Sequence, residues 1–258
     1  MKLAIAGKGG SGKTSISGTM CRVLARSGRD VLAIDGDSNP NLAVTLGIPP
    51  VEMDSLPTLN REMIRRGDNG PELTSTLDAI FEGHGVQAPD GVKLLVMAHP
   101  QHAGTGCLCS VHATVRSVMH EAANGENEVV LLDTEASPEH LSRGTTMYAE
   151  TMLCVVEPYY KSLETGRRMA ALGRDLGLPR IALVANKIRD DREREAVETF
   201  AERHDLEIAG FIPFDENMPG AERAETSPLD FAPDTPAVQA ISELAESVAP
   251  WESVAPHG

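Results

Sequence analysis

Eight residues near the start of the chain, Gly7-Lys8-Gly9-Gly10-Ser11-Gly12-Lys13-Thr14, combine the groups needed to hold a polyphosphate. Glycines let successive backbone N–H groups turn inward around phosphate oxygens. The spacing Gly7-x4-Gly12-Lys13-Thr14 then sets an ammonium and a hydroxyl directly after the turn. In a P-loop of this pattern the lysine reaches the β- and γ-phosphates and the hydroxyl ligates magnesium. Lys13 and Thr14 are therefore expected to bind ATP and Mg2+, with Gly9, Gly10, Ser11, Gly12 and Ser15 lining the phosphates. The pattern carries weight only where a strand precedes it and a helix follows. Residues 2–6 are strand-like and 15–26 helical in pattern, so the context is present, and a helix starting near Lys13 adds its positive dipole end.

Two further apolar runs end in acids. Residues 31–34 lead into Asp35-Gly36-Asp37, and residues 129–132 lead into Asp133. Four apolar residues capped by an acid describe a Walker B strand, in which Asp133 holds a magnesium-bound water. An aspartate at a strand end also serves as a helix cap or turn former. Following a P-loop in this order, the magnesium reading is the stronger one.

Cys107-Leu108-Cys109 offers a second chemistry. The pair falls between a strand at 92–97 and a helix beginning near Val111, with Ser110 as a natural cap. A cysteine beside a helix's positive end is favoured as thiolate, the form that binds soft and borderline metals. Two cysteines one residue apart supply half of a four-coordinate site. A two-fold dimer doubles them to four sulfurs, the number wanted by tetrahedral zinc or planar nickel. A redox pair or two indifferent thiols remain alternatives, and His102, His112 and His120 lie near enough in sequence to be other ligands. Cys21 and Cys154 sit in apolar patterns and read as packing residues.

The elements that must position these residues alternate along the chain. Strands are expected at 2–6, 31–34, 92–97, 129–132, 152–156, 181–185 and 207–211, with helices at 15–26, 111–123, 165–176 and 192–204. Near-continuous apolar strands separated by helices imply an α/β, doubly wound, mostly parallel sheet with helices on both faces. Such sheets gather ligands at the carboxyl ends of their strands, where each motif above falls. Residues 49–90 are the least regular stretch, with 66–71 reading as a loop, and a short helix is expected at 237–248.

Length and composition bound the rest. At 258 residues, 41% hydrophobic and 24% charged, the chain suits one globular domain over 1–258. With 23 basic against 38 acidic residues the net charge is -15, which disfavours nucleic acid and anionic membrane as partners. The apolar run after Lys2 stops at Gly7, too short for a signal sequence, so a cytoplasmic protein is expected.

Lys8, just after the first glycine, gives the loop a form that resembles the deviant Walker A signature of the MinD/ParA class of P-loop ATPases. That resemblance implies an ATP-dependent homodimer in which Lys8 of each copy reaches the other's nucleotide. It also implies that Asp37 orients the attacking water from switch I and that Asp35 is an outer-shell magnesium partner. Asn186 and Pro213, each after a strand, match places where this class meets adenine.

Three segments are similar to one branch of the class, the CooC-type nickel-insertion accessory ATPases of carbon monoxide dehydrogenase. These are Ile34-Asp-Gly-Asp-Ser-Asn-Pro-Asn-Leu42, Gly106-Cys-Leu-Cys109 and Asp133-Thr-Glu-Ala-Ser-Pro-Glu-His-Leu-Ser-Arg-Gly-Thr145. The resemblance implies nickel or zinc held by Cys107 and Cys109 of both copies and delivered to a client metalloenzyme such as carbon monoxide dehydrogenase. Ser137 stands where that branch usually has Gly, and Ser38 where it has Pro; neither removes a catalytic group. A ParA/MinD-type positioning or partitioning ATPase is the alternative, and it would want a basic surface or an amphipathic tail. Iron–sulfur carriers and dethiobiotin synthetase-like enzymes fit less well. The first use single cysteines on two separated loops, and the second have no need of Lys8 or the cysteine pair.

Overall fold

Short buried strands and amphipathic helices alternate as the sequence pattern requires, and they assemble into one large sheet covered on both faces, with β3 and β4 as a separate two-stranded sheet. A computed structural model describes residues 1–67, 70–98, 109–123, 125, 127–136 and 144–248. The strands are β1 (Lys2–Gly7), β2 (Asp30–Gly36), β3 (Ile64–Gly67), β4 (Gly70–Leu73), β5 (Gly85–Gln87), β6 (Lys93–Val96), β7 (Glu128–Thr134), β8 (Thr151–Val156), β9 (Arg180–Ile188) and β10 (Glu207–Pro213). The α-helices are α1 (Lys13–Arg26), α2 (Leu42–Leu46), α3 (Leu77–His84), α4 (Cys109–Glu121), α5 (Tyr160–Asp175), α6 (Asp191–Arg203), α7 (Asn217–Arg223), α8 (Pro228–Phe231) and α9 (Pro236–Val248).

Eight strands lie in the order β10-β9-β8-β1-β7-β2-β6-β5. All neighbours pair parallel except β5, which closes one edge antiparallel to β6. The first strand shows why both faces are covered. Leu3 and Ile5 belong to one apolar cluster with Ile16 and Met20 of α1 and Ile241 and Leu244 of α9. Ala4 and Ala6 belong to the other, with Val115 of α4, Met169 of α5 and Val197 of α6. Alternation with a period of two thus feeds two helical layers from one strand. Cys21 and Cys154 are fully buried, as expected of packing residues, and burial pushes both thiols up.

Arg22 of α1 is buried and binds two carboxylates from distant parts of the chain. Its Nε donates to Asp90 Oδ2 at 2.6 Å, and its Nη1 donates to Ser227 Oγ at 3.0 Å and to Asp230. Arg26 adds a second bond to Asp90 Oδ2 at 2.9 Å. The clamp fastens the segment before β6 and the start of α8 to the back of α1.

The structure corrects several expected boundaries. Residues 49–90, the least regular stretch, carry short elements not expected from the sequence: the β3–β4 hairpin, α3 and β5. Arg66 and Pro71, expected in a loop, pair across that hairpin. The hairpin is held from α4 by the Ser117 hydroxyl, which donates to the Pro71 carbonyl at 3.0 Å, and the turn before it by the Thr114 hydroxyl, which donates to the Asn60 carbonyl at 3.0 Å. Helix α4 begins at Cys109 rather than near Val111, so Ser110 lies inside the helix instead of capping it. Helix α5 begins at Tyr160, five residues before the expected start at 165.

Candidate functional site

The carboxyl ends of β1, β7 and β2 meet beneath the loop from Lys8 to Gly12. Gly7, Gly10 and Gly12 have φ of 157°, 76° and 96°, the last two in the left-handed region that glycine occupies without strain. The turn is short and self-braced: Ser11 N–H donates to the Lys8 carbonyl at 3.1 Å, and Asn186 Nδ2 donates to the Ser11 carbonyl at 2.7 Å. Its carbonyls are thus engaged from below, as an inward-turning ring of N–H groups requires.

Lys13 opens α1 and is buried, with Nζ 3.5 Å from the Lys8 carbonyl. Burial lowers its pKa, opposed by the charges of Asp133, Asp37 and Glu135. Asp133 at the end of β7 accepts from Ser17 Oγ at 3.1 Å and from the Thr14 hydroxyl. Asp35 stands directly opposite Asp133 in the β2–β7 register and accepts from the N–H groups of Leu42 at 2.8 Å and Asp37 at 3.2 Å. Both carboxylates are about 1% exposed. Burial, reinforced by the charge of Asp133, pushes Asp35 up to about 7. Burial likewise pushes Asp133 up to about 6, against hydrogen bonds from Thr14 and Ser17 and the charge of Lys13. Asp37 lies one step beyond Asp35, half-buried, and its Oδ1 accepts from the Asn39 N–H at 2.9 Å.

These residues fit a magnesium–nucleotide. Two facing buried acids with hydroxyls of Thr14 and Ser17 beside them are a hard-cation donor set. The Ser11 hydroxyl, fully buried inside the turn, has no hydrogen-bond partner among the described residues, as expected of a group that faces a phosphate oxygen. Gly9 and Gly10, by contrast, are exposed at the crest of the loop.

Asn186 and Pro213 lie on the adjacent ends of β9 and β10. Asn186 spends its amide on the P-loop, and its Oδ1 accepts from the Lys187 N–H at 2.9 Å. It therefore braces the phosphate loop, whatever it does for a base. The side chain of Lys8 turns the other way, toward Tyr159, with Nζ 3.5 Å from the hydroxyl.

The cysteine site is only partly visible. Cys107, His102, Ser137 and the side chain of Cys109 lie outside the described residues. Among the described residues no group of three or more His, Cys, Asp and Glu is placed to hold a metal ion. His120 is eleven residues beyond Cys109 on the same helix, roughly 16 Å along the axis, and stacks on Tyr148 at 4.6 Å instead. His112 is buried, its Nδ1 3.5 Å from the Thr145 hydroxyl. Just after β6, Met97 N–H donates to the Asp35 carbonyl at 2.8 Å, so the chain leaves β6 beside the end of β2.

Residues 2–229 match the CbiA family, the CobQ/CobB/MinD/ParA nucleotide binding domain. The chain belongs to this family. It is a nucleotide-binding ATPase of the MinD/ParA class. Among relatives, it is 35% identical to the carbon monoxide dehydrogenase accessory protein CooC of Rhodospirillum rubrum, over 98% of this chain and 100% of that one. An uncharacterized ATP-binding protein of Methanocaldococcus jannaschii is 34% identical, over 84% and 87%. In fold, the chain is similar to the MinD cell division protein of Aquifex aeolicus, with a TM-score of 0.69 at 21% identity over 96% of this chain and 95% of that one. A ParA family ATPase from Chlorobium tepidum gives 0.71 at 18% identity over 95% and 96%.

Ser17 and Tyr159, both near the loop, are absent from the sequence reading, and Lys187 enters it only as the neighbour of Asn186. Ser17 has a recoverable signal, since it lies one helical turn after Lys13 and Thr14 and must share their face. Lys187 and Tyr159 have none, because what places them is the register of β8 and β9 against the loop.

Proposed function

We propose that the chain is an ATP-dependent metallochaperone: it dimerises with ATP and delivers nickel to a metalloenzyme such as carbon monoxide dehydrogenase. The observation that supports it most is likeness to CooC over the full length of both chains. The described residues on either side of the cysteine segment are compatible with that reading: Met97, just after β6, donates to the Asp35 carbonyl, and α4 begins at Cys109.

In this reading the P-loop N–H groups, Lys13 and Ser11 bind and orient the phosphates. Thr14, Ser17 and Asp133 would hold magnesium, with Asp35 behind them, and the ion supplies charge neutralisation at the transferring phosphoryl group. Asp37 orients the water, and Lys8 contributes across the dimer, as an arginine finger does in other phosphoryl-transfer systems. Ser38 donates to Glu135 Oε1 at 3.2 Å, which links the segments after β2 and β7 so that they respond together. Cys107 and Cys109 of two copies take up nickel or zinc as cargo, between half-sites that meet only in the dimer. The setting is cytoplasmic, and among the described residues no helix is long and apolar enough to cross a membrane.

Size-exclusion chromatography with metal analysis, run with ADP, with ATP and with nickel or zinc added, tests this. One metal per ATP-bound dimer is the expected result. Cys107→Ser or Cys109→Ser should each abolish stoichiometric metal while ATP affinity stays within twofold. Full metal loading of both variants would exclude the cysteine site. A positioning ATPase shares the fold at 21% identity or below, which supports architecture alone.

A further inference from the structure

Only three tyrosines occur in the chain, and Tyr159 lies against the loop lysine that the proposed dimer needs. Lys8 Nζ is 3.5 Å from the Tyr159 hydroxyl and 5.3 Å from the centroid of its ring. The hydroxyl in turn donates to Glu157 Oε2 at 2.8 Å. The other oxygen of Glu157 pairs with Lys187 Nζ at 2.8 Å, and Lys187 Nζ donates to the Gly10 carbonyl at 2.6 Å. The contacts form a closed circuit: loop, Lys8, Tyr159, Glu157, Lys187 and back to the loop. Lys187 has a φ of 62°, an uncommon conformation for a lysine, which aims its side chain back across β8 toward the loop. Tyr159 is 42% exposed and Tyr160 beside it 73%, so the circuit sits on an open face.

We infer that Tyr159 is a positioning residue for Lys8, holding its side chain on its own chain until a second copy docks. The inference rests on the proposed ATP-driven dimer. A lysine that is to reach a neighbour's nucleotide must first leave the contacts it makes at home. Those contacts compete with assembly and also keep the ammonium from wandering into its own phosphate site. Glu157 and Lys187 fix the tyrosine to the loop itself, so the hold is indexed to the P-loop rather than to a mobile surface.

Tyr159→Phe keeps the ring and removes the hydroxyl that joins Lys8 to Glu157. Two measurements decide the matter. In the nucleotide-free chain, competitive acylation read by mass spectrometry should show Lys8 labelled about two- to fivefold faster in the variant, with Lys93 as internal reference. With AMP-PNP and magnesium, sedimentation should place the dimerisation midpoint about two- to fivefold lower, while AMP-PNP affinity stays unchanged. Unchanged labelling of Lys8 overturns the inference. So does faster labelling with a midpoint that stays put or rises, since the hold would then not oppose assembly. Should the unmodified chain fail to dimerise with AMP-PNP at any concentration, the dimer reading itself falls and takes this inference with it.

Discussion

Gly12 is constrained twice. Its φ of 96° belongs to the left-handed region, and a Cβ there would lie 2.3 Å from Asn186 Nδ2. Any side chain must therefore pay the left-handed penalty, about 1–2 kcal/mol, and also expel the amide that holds the Ser11 carbonyl. Gly12→Ala should weaken ATP binding at least tenfold, measured with a fluorescent nucleotide, while the melting temperature falls by only a few degrees. Unchanged affinity would mean that the loop is not held as described. Much at this scale is legible in the sequence, because Lys13, Thr14 and Asp133 sit in short local patterns that carry their own context. Ser17 is recoverable from its place one helical turn after Lys13, but Tyr159 and Lys187 are not legible in that way. Each acts through a partner more than a hundred residues away or across two strands, and no local pattern encodes such a distance.

Helix α1 joins two jobs, since its first turn faces the phosphates and its back carries Arg22. The guanidinium is 3% exposed, with Asp90 and Asp230 as its counter-charges. Asp90→Asn leaves it half-compensated, at a cost of about 1–3 kcal/mol. Differential scanning calorimetry should show a fall of roughly 2–10 °C, with ATP affinity little changed. The same clamp has a pH signature. Burial alone would raise Asp90, but the bonds from Arg22 and Arg26 outweigh it and leave the carboxyl below its usual range. Its contribution is therefore full above the ordinary carboxylate pKa, near 4, and is lost as pH falls through the depressed value. Acid unfolding of Asp90→Asn should accordingly show a shallower loss of stability below about pH 4 than the unmodified chain. The β3–β4 hairpin shows why elements can escape notice. Arg66, Gly67, Gly70 and Pro71 lack apolar alternation, and α4 braces the hairpin from outside by donating to the Pro71 carbonyl. The early start of α5 hides for a related reason: Tyr159 precedes it with no side-chain capping bond, so no cap signal marks the boundary.

Two copies that meet in solution each carry a net charge of -15, and so repel. Raising salt from about 0.02 to 0.3 M shortens the screening length from roughly 20 Å to below 10 Å, so ATP-dependent dimerisation should tighten several-fold. Binding to a polyanion would weaken over the same range, so a parallel sedimentation run with duplex DNA, in which no DNA should co-sediment even at low salt, separates a metallochaperone from a DNA-partitioning ATPase. Charge and fold class are whole-molecule properties that composition and alternation carry. Sheet order is not, since β7 inserts between β1 and β2 through crossovers whose direction no single segment dictates. Helix α9 packs on α1 and β10, with Ile241, Leu244 and Val248 in the same cluster as Leu24. A chain cut before residue 236 would leave the apolar flank of α1 open to water, so the helix that carries Lys13 and Thr14 depends for its cover on a segment more than two hundred residues away.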